Sequence, residues 1–142
     1  MKYLFDTDHT SFLQRRSGPE YAALAARIAQ HSPADFAFSV VSFHEQVLGA
    51  HTFIIRARTT AEALRGYTLL SEILQGFLAA PVLPFEAAAA VVFDGLRAQR
   101  IRVSTIDLRI ASIALSRGVV LLTRNSSDFG RVPGLVTEDW TK

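Results

Sequence analysis

Four short apolar, β-favouring runs, at residues 3–5, 36–41, 81–85 and 119–122, alternate with longer stretches whose apolar residues recur at helical spacing. That alternation leaves few folds open. Strands that are apolar throughout, rather than apolar at every second position, are buried on both faces. A strand–helix–strand series sets them parallel, with helices over both faces. The chain has 142 residues, close to the usual size of one domain. The expectation is therefore a single domain over residues 1–142, a three-layer α/β/α sandwich around a central parallel sheet.

The helices are marked by their ends. Thr7 or Asp8 is placed to cap a first helix running to about residue 16, which Ser17-Gly18-Pro19 breaks. Pro19 suits the first position of a second helix, with Tyr21, Leu24, Ala25 and Ile28 at helical spacing up to residue 30. Ser42 and Glu45 have the spacing of a capping box, opening a helix over about 43–56. A second helix, about 60–78, carries Leu64, Tyr67, Leu70, Leu74 and Phe77 as one stripe, so that residues 43–78 read as a helical hairpin. Beyond the third run come an alanine-rich helix over 86–99 and an extended piece over 101–103. A helix capped by Ser104 or Thr105 then runs through 116 and ends at Gly118 in the left-handed conformation. The tail from Asn125 is turn-rich, with a short extended piece at 135–137 and Trp140 as a lid on the end of the sheet.

Composition narrows the chemistry. Cysteine is absent, which excludes disulfides, thiolate ligands and cysteine nucleophiles, so any metal is held by oxygen or imidazole. No apolar run approaches the roughly 20 residues that span a bilayer, and the first residues lack the layout of a secretory leader. The expectation is a cytoplasmic protein with no membrane partner. Of 15 cationic side chains 13 are Arg, leaving only Lys2 and Lys142 as lysines; arginine's planar fork suits phosphate or carboxylate partners, although an arginine-rich genome explains the bias equally well. Hydrophobic residues make up 49% and charged residues 20%, an apolar surplus that suits an interface.

The topology gathers acids. In a parallel sheet every strand ends at one edge, every helix leading into a strand begins there, and ligands bind there. Asp6 ends the first strand, Glu45 lies just after the second, Asp107 opens the helix feeding the last apolar run, and Asp128 follows that run by a short loop. Asp8 is a possible fifth. Clustered carboxylates cannot all ionise without a counter-charge, and no lysine lies near; a hard divalent cation, Mg²⁺ or Mn²⁺, fits an all-oxygen set. Such an ion supports phosphodiester hydrolysis. Each acid also has an ordinary explanation: Glu45 as half of a capping box, Asp107 as a charge favourable to a helix dipole, Asp8 as a helix cap. Asp6, at the end of a buried strand, has the weakest such explanation. His9, His31, His44 and His51 share no ligand spacing with the acids and read as surface or supporting groups. Ser39, Ser42 and Ser104 lack a matching His and Asp layout, and there is no glycine-rich phosphate loop.

The segments YLFDTD, SFHEQVLG and IDLRIASIALSRGVVLLTRNSSDFGRVPGL resemble the PIN-domain ribonucleases, and in particular the VapC toxins of prokaryotic toxin–antitoxin operons. The likeness covers nearly the whole chain. It departs at Asp8, where the family commonly has Asn, and at Asn125, where some relatives have Asp. The resemblance implies Mg²⁺-dependent cleavage of RNA, toxin homodimers and inhibition by a VapB-like antitoxin. It assigns Asp6, Glu45 and Asp107 to the metal site, with Asp6 and Asp107 holding Mg²⁺ and Glu45 orienting or activating water. Asp128 or Asn125 takes a fourth place, Thr123 positions a water, and Arg124 binds the RNA backbone. The hairpin's apolar residues Phe53, Ile54, Ile55, Leu69 and Ile73 would form the antitoxin groove.

Two other readings start from the same residues. Asp6-Thr7-Asp8-His9-Thr10 fits the Asp-x-Asp-x-Thr pattern of haloacid-dehalogenase-like phosphatases, with Asp6 as nucleophile, but that scheme needs a lysine beside the phosphoenzyme, and neither Lys2 nor Lys142 follows a later strand. A non-catalytic domain that only binds RNA or protein is the other; the joint presence of Asp6, Glu45 and Asp107 counts against it.

Overall fold

The computed structural model describes all of residues 1–142 and contains five strands in one sheet, all pairs parallel, in the order β3-β2-β1-β4-β5. The strands are β1 (Tyr3–Phe5), β2 (Phe36–Ser39), β3 (Val82–Leu83), β4 (Val120–Leu122) and β5 (Thr137–Glu138). Between them lie α1 (Thr7–Arg15), α2 (Pro19–Ile28), a 3₁₀ turn (Pro33–Asp35), α3 (Val40–Ile55), α4 (Thr60–Phe77), α5 (Ala87–Ala98), α6 (Thr105–Arg117) and α7 (Ser126–Phe129).

Side-chain alternation on these short strands supplies two cores, one per face. Leu4, Ala37, Leu83 and Leu121 point to one side, where Phe93, Leu96, Leu108, Ile110 and Phe129 bring α5, α6 and α7 against the sheet. Phe5, Phe36, Phe38 and Leu122 point to the other, against Leu24, Ala50, Ile73 and Phe77 of α2, α3 and α4. Both faces being covered is why the strands carry no polar alternation.

The hairpin of α3 and α4 forms as expected, but its buried stripe coincides only in part with the expected one, Phe77 being buried and Leu70 packed against the second core. Gly66, Ile73 and Phe77 are buried, while Leu64, Tyr67 and Leu74 face outward. The helix is apolar on more than one side, so periodicity admits two stripes. The one containing Gly66 wins because a side chain there would meet Ile54 Cγ1 at 2.6 Å, and only glycine lets the two helices approach so closely.

Local signals decide the remaining differences. Ser39, not Ser42, caps α3, its Oγ accepting from Ser42 N at 3.0 Å, so no Ser42–Glu45 capping box forms. The cap position of α1 is Asp6, one residue ahead of the two expected there. Residues 101–103 pair with no strand, and the tail contains the short helix α7, capped by the Asn125 side chain. Trp140 is no lid: it is buried in the second core, with its ring centroid 4.6 Å from that of Tyr3 and 5.1 Å from that of His31. Ser104 caps α6, and Gly118 ends it at φ 64°, both as expected.

Candidate active site

The sheet order runs from β1 outward through β2 to β3 on one side, then restarts at β4 on the other. The strand ends of β1 and β4 therefore flank the switch point, where open parallel sheets bind ligands. Asp6 stands there, its N–H donating to Leu122 O at 2.9 Å and its side chain only slightly exposed. Thr123 Oγ1, buried at the end of β4, donates to Asp6 Oδ2 at 2.7 Å. Burial, and then the neighbouring Asp8 and Asp107 carboxylates, push Asp6 up to about 7 despite that hydrogen bond and one from the Thr7 backbone.

Glu45 reaches the same edge from α3. Its Oε1 accepts a 2.7 Å hydrogen bond from Thr7 Oγ1, which also lies 2.9 Å from Ser42 Oγ. Only this one oxygen of Glu45 is engaged by the protein. Asp107 sits in the first turn of α6, where its N–H donates to Ser104 Oγ at 3.1 Å. Burial raises its carboxyl above the usual range, and the charges of Glu45, Asp128 and Asp8 raise it further. Acids from four separate stretches thus stand near enough for each to oppose another's ionisation.

Asp128 reaches the edge of this group but is already partnered. Its Oδ2 accepts from Asn125 Nδ2 at 3.1 Å, and its Oδ1 lies 3.5 Å from Arg131 Nη1. Asn125 is spent on capping α7 and holding Asp128. Asp8 is still more fully engaged: Oδ1 takes His9 Nδ1 at 2.7 Å, and Oδ2 takes the Arg124 N–H at 2.9 Å. Thr123 spends its hydroxyl proton on Asp6, so it orients that acid. Arg124 is exposed beside the acids, its guanidinium carbon 5.4 Å from the Phe12 ring centroid. His31 is half-buried among aromatic rings, His44 and His51 are exposed, and His9 is wholly buried. The contact of Thr7 with Glu45 was missed, because its partner lies 38 residues away. His9 is the supporting group rather than the surface one, and its Trp140 partner is 131 residues away.

The donor set fits a hard divalent ion: carboxylate oxygens only, no sulfur, and carboxyl groups raised by burial and then by one another's charge, which a cation would offset. No three His, Asp or Glu side chains stand close enough to form a preformed cage.

No family model matches the chain. A tRNA(fMet)-specific endonuclease VapC from Shigella flexneri is 40% identical over 74 residues, 49% of this chain and 56% of that protein. A protein of the same description from Salmonella typhimurium is 27% identical over 145 residues, covering 99% of this chain and 98% of its own. Among solved structures, a chain of VapBC-1 from nontypeable Haemophilus influenzae matches at TM-score 0.70 and 26% identity, over the full length of both. A chain of the DNA-bound VapBC from Salmonella typhimurium matches at TM-score 0.76 over 99% of this chain and 98% of its own, and at 24% identity it speaks for the fold alone. In sequence and in fold over its full length, with acids gathered at the switch point of a five-stranded parallel sheet, this chain is similar to the VapC-type PIN-domain proteins.

Proposed function

We propose that the protein is a metal-dependent endoribonuclease, the toxin of a VapBC-type toxin–antitoxin pair, acting in the cytoplasm. The observation that carries this reading is the convergence of Asp6, Glu45 and Asp107 at one sheet edge, with Asp6 buried and raised in pKa. The names of the full-length relative and of its structural counterparts support the same class of activity.

Asp6 and Asp107, with Glu45 beside them, would hold Mg²⁺ or Mn²⁺. When bound, such an ion offsets charge on the phosphate and makes water a stronger nucleophile. Around it, Thr123 fixes the rotamer of Asp6. Thr7 holds one oxygen of Glu45, leaving Oε2 to accept a proton from, and so orient, the attacking water. Arg124 offers a guanidinium to a backbone phosphate from the rim.

A VapB-like antitoxin is the proposed protein partner, docking on the exposed apolar side of the α3–α4 hairpin, and a homodimer the proposed assembly. Leu64 and Tyr67, 67% and 59% exposed, are the natural contact residues; Ile73, only 5% exposed, belongs to the core.

The phosphatase reading loses support from the geometry. Both oxygens of Asp8 are held by protein donors, and Asp6 is buried with no lysine beside it. Cleavage of labelled RNA with Mg²⁺, repeated with EDTA and with Asp6→Asn, tests the proposal. Loss of more than about a hundredfold in each is expected, in line with the removal of a principal charge-stabilising group. Cleavage that survives either change overturns it, and a wild-type protein that binds RNA without cutting it favours the non-catalytic reading.

A further inference from the structure

His9 is buried without exposed surface, yet it lies in none of the roles above. Its two ring nitrogens face different parts of the chain. Nε2 lies 3.2 Å from the backbone N of Trp140, and Nδ1 lies 2.7 Å from Asp8 Oδ1. A backbone N–H can only donate, so Nε2 carries no proton and accepts. The single proton of the neutral ring is therefore on Nδ1, aimed at a carboxylate that can only accept. Asp139 does not compete for Nε2: its Oδ1 is 3.8 Å away and already takes the N–H and the hydroxyl of Thr141, at 2.9 and 2.6 Å.

Asp8, so held through Oδ1, presents Oδ2 to the Arg124 N–H at 2.9 Å, and the Thr123 hydroxyl lies 3.4 Å from that same oxygen. These two residues form the turn after β4 that delivers Thr123 Oγ1 to Asp6 and carries the exposed Arg124 side chain. A continuous series of hydrogen bonds thus runs from the C-terminal segment at Trp140, through the His9 ring and the Asp8 carboxylate, to the turn beside Asp6.

We infer that His9 is a positioning residue: with its proton fixed on Nδ1 by the Trp140 backbone, it locks Asp8 in the rotamer that holds the Thr123–Arg124 turn against Asp6. The inference rests on the ribonuclease reading for its kinetic consequence but not for its geometry. The last residues of the chain are on this account part of the active-site scaffold, since Trp140 sets which nitrogen of His9 bears the proton.

Asparagine and glutamine separate the two halves of the ring, because the Asn amide nitrogen overlays Nδ1 and the Gln amide group overlays Nε2. His9→Gln keeps a partner for Trp140 and loses the donor to Asp8; His9→Asn does the reverse. The expected result is a kcat about tenfold lower in H9Q with KM unchanged, the scale seen when a partner behind an active-site ligand is removed, and recovery of most of it in H9N. Hydrogen exchange at the Arg124 amide should be faster in H9Q than in H9N, and nitrogen NMR of the wild-type imidazole should show the Nδ1–H tautomer. An Nε2–H tautomer in the wild type, equal kcat in the two variants, or equal Arg124 exchange would overturn the inference. The tautomer is read on unmodified protein, so it decides even if H9Q does not fold. The NMR and exchange results stand apart from RNA cleavage, so a wild-type protein without ribonuclease activity would count against the functional reading alone.

Discussion

Asp6 is a carboxylate for which burial and neighbouring charge both work against ionisation, and the consequence for stability has a definite sign. Its carboxyl rises from 3.8 to about 7 in the folded chain. The folded state therefore keeps a proton that the unfolded chain has released, and stability falls as pH climbs from about 4 to about 7, staying low above that. Asp6→Asn removes the ionisable group. In EDTA, urea unfolding should show the variant more stable than wild type at pH 8, by an amount on the order of 1–3 kcal/mol, with the two converging near pH 4. A variant no more stable than wild type at pH 8 would mean that Asp6 is not destabilised by its site. Thr123 works in the opposite direction, since its hydroxyl favours the ionised acid. In Thr123→Val the acidic limb of the pH–rate profile should move to higher pH, because a lost donor to the carboxylate raises its pKa.

At the scale of elements, the α3–α4 hairpin shows how close packing selects one helical face over another. Two of its three helical glycines sit in opposite circumstances. Around Gly49 a Cβ would meet nothing within 4 Å, whereas at Gly66 it would strike Ile54 at 2.6 Å and Phe53 at 3.1 Å. Gly49→Ala should therefore stabilise the protein by about 0.5–1 kcal/mol, the ordinary gain from removing backbone freedom within a helix. Gly66→Val should cost about 1–3 kcal/mol through overpacking. Thermal melts of the two variants should move in opposite directions, and a Gly66→Val protein as stable as wild type would show that the crossing is loosely packed. The same element carries the antitoxin prediction. Leu64→Ser with Tyr67→Ser should weaken neutralisation by the antitoxin while leaving RNA cleavage intact; full neutralisation would move the proposed interface elsewhere. Ile73 is unsuitable for that test because its loss would open a cavity in the core.

For the whole molecule, the fold was legible because its signals are local and repeated. Continuous apolar runs such as those at Phe36 and Val120 announce strands buried on both faces, and Ser104 with Gly118 brackets one helix at both ends. Parallel topology then brings Asp6, Glu45 and Asp107 to one edge whatever the details of packing, since strand ends and helix starts share that edge by construction. The sequence by itself determined the sandwich and the location of its acidic edge. Tertiary structure alone decided which stripe of α4 is buried, because that depended on the space at Gly66 rather than on periodicity. It alone decided which acids are free, too. Asp8 and Asp128 look like Asp6 in the sequence, but their oxygens are taken by donors: Asn125 and His9 lie close by in the chain, whereas the Arg124 N–H meets Asp8 only when the chain closes. A carboxylate's role is set by the donors around it, and for Asp8 the Arg124 donor lies 116 residues along the chain.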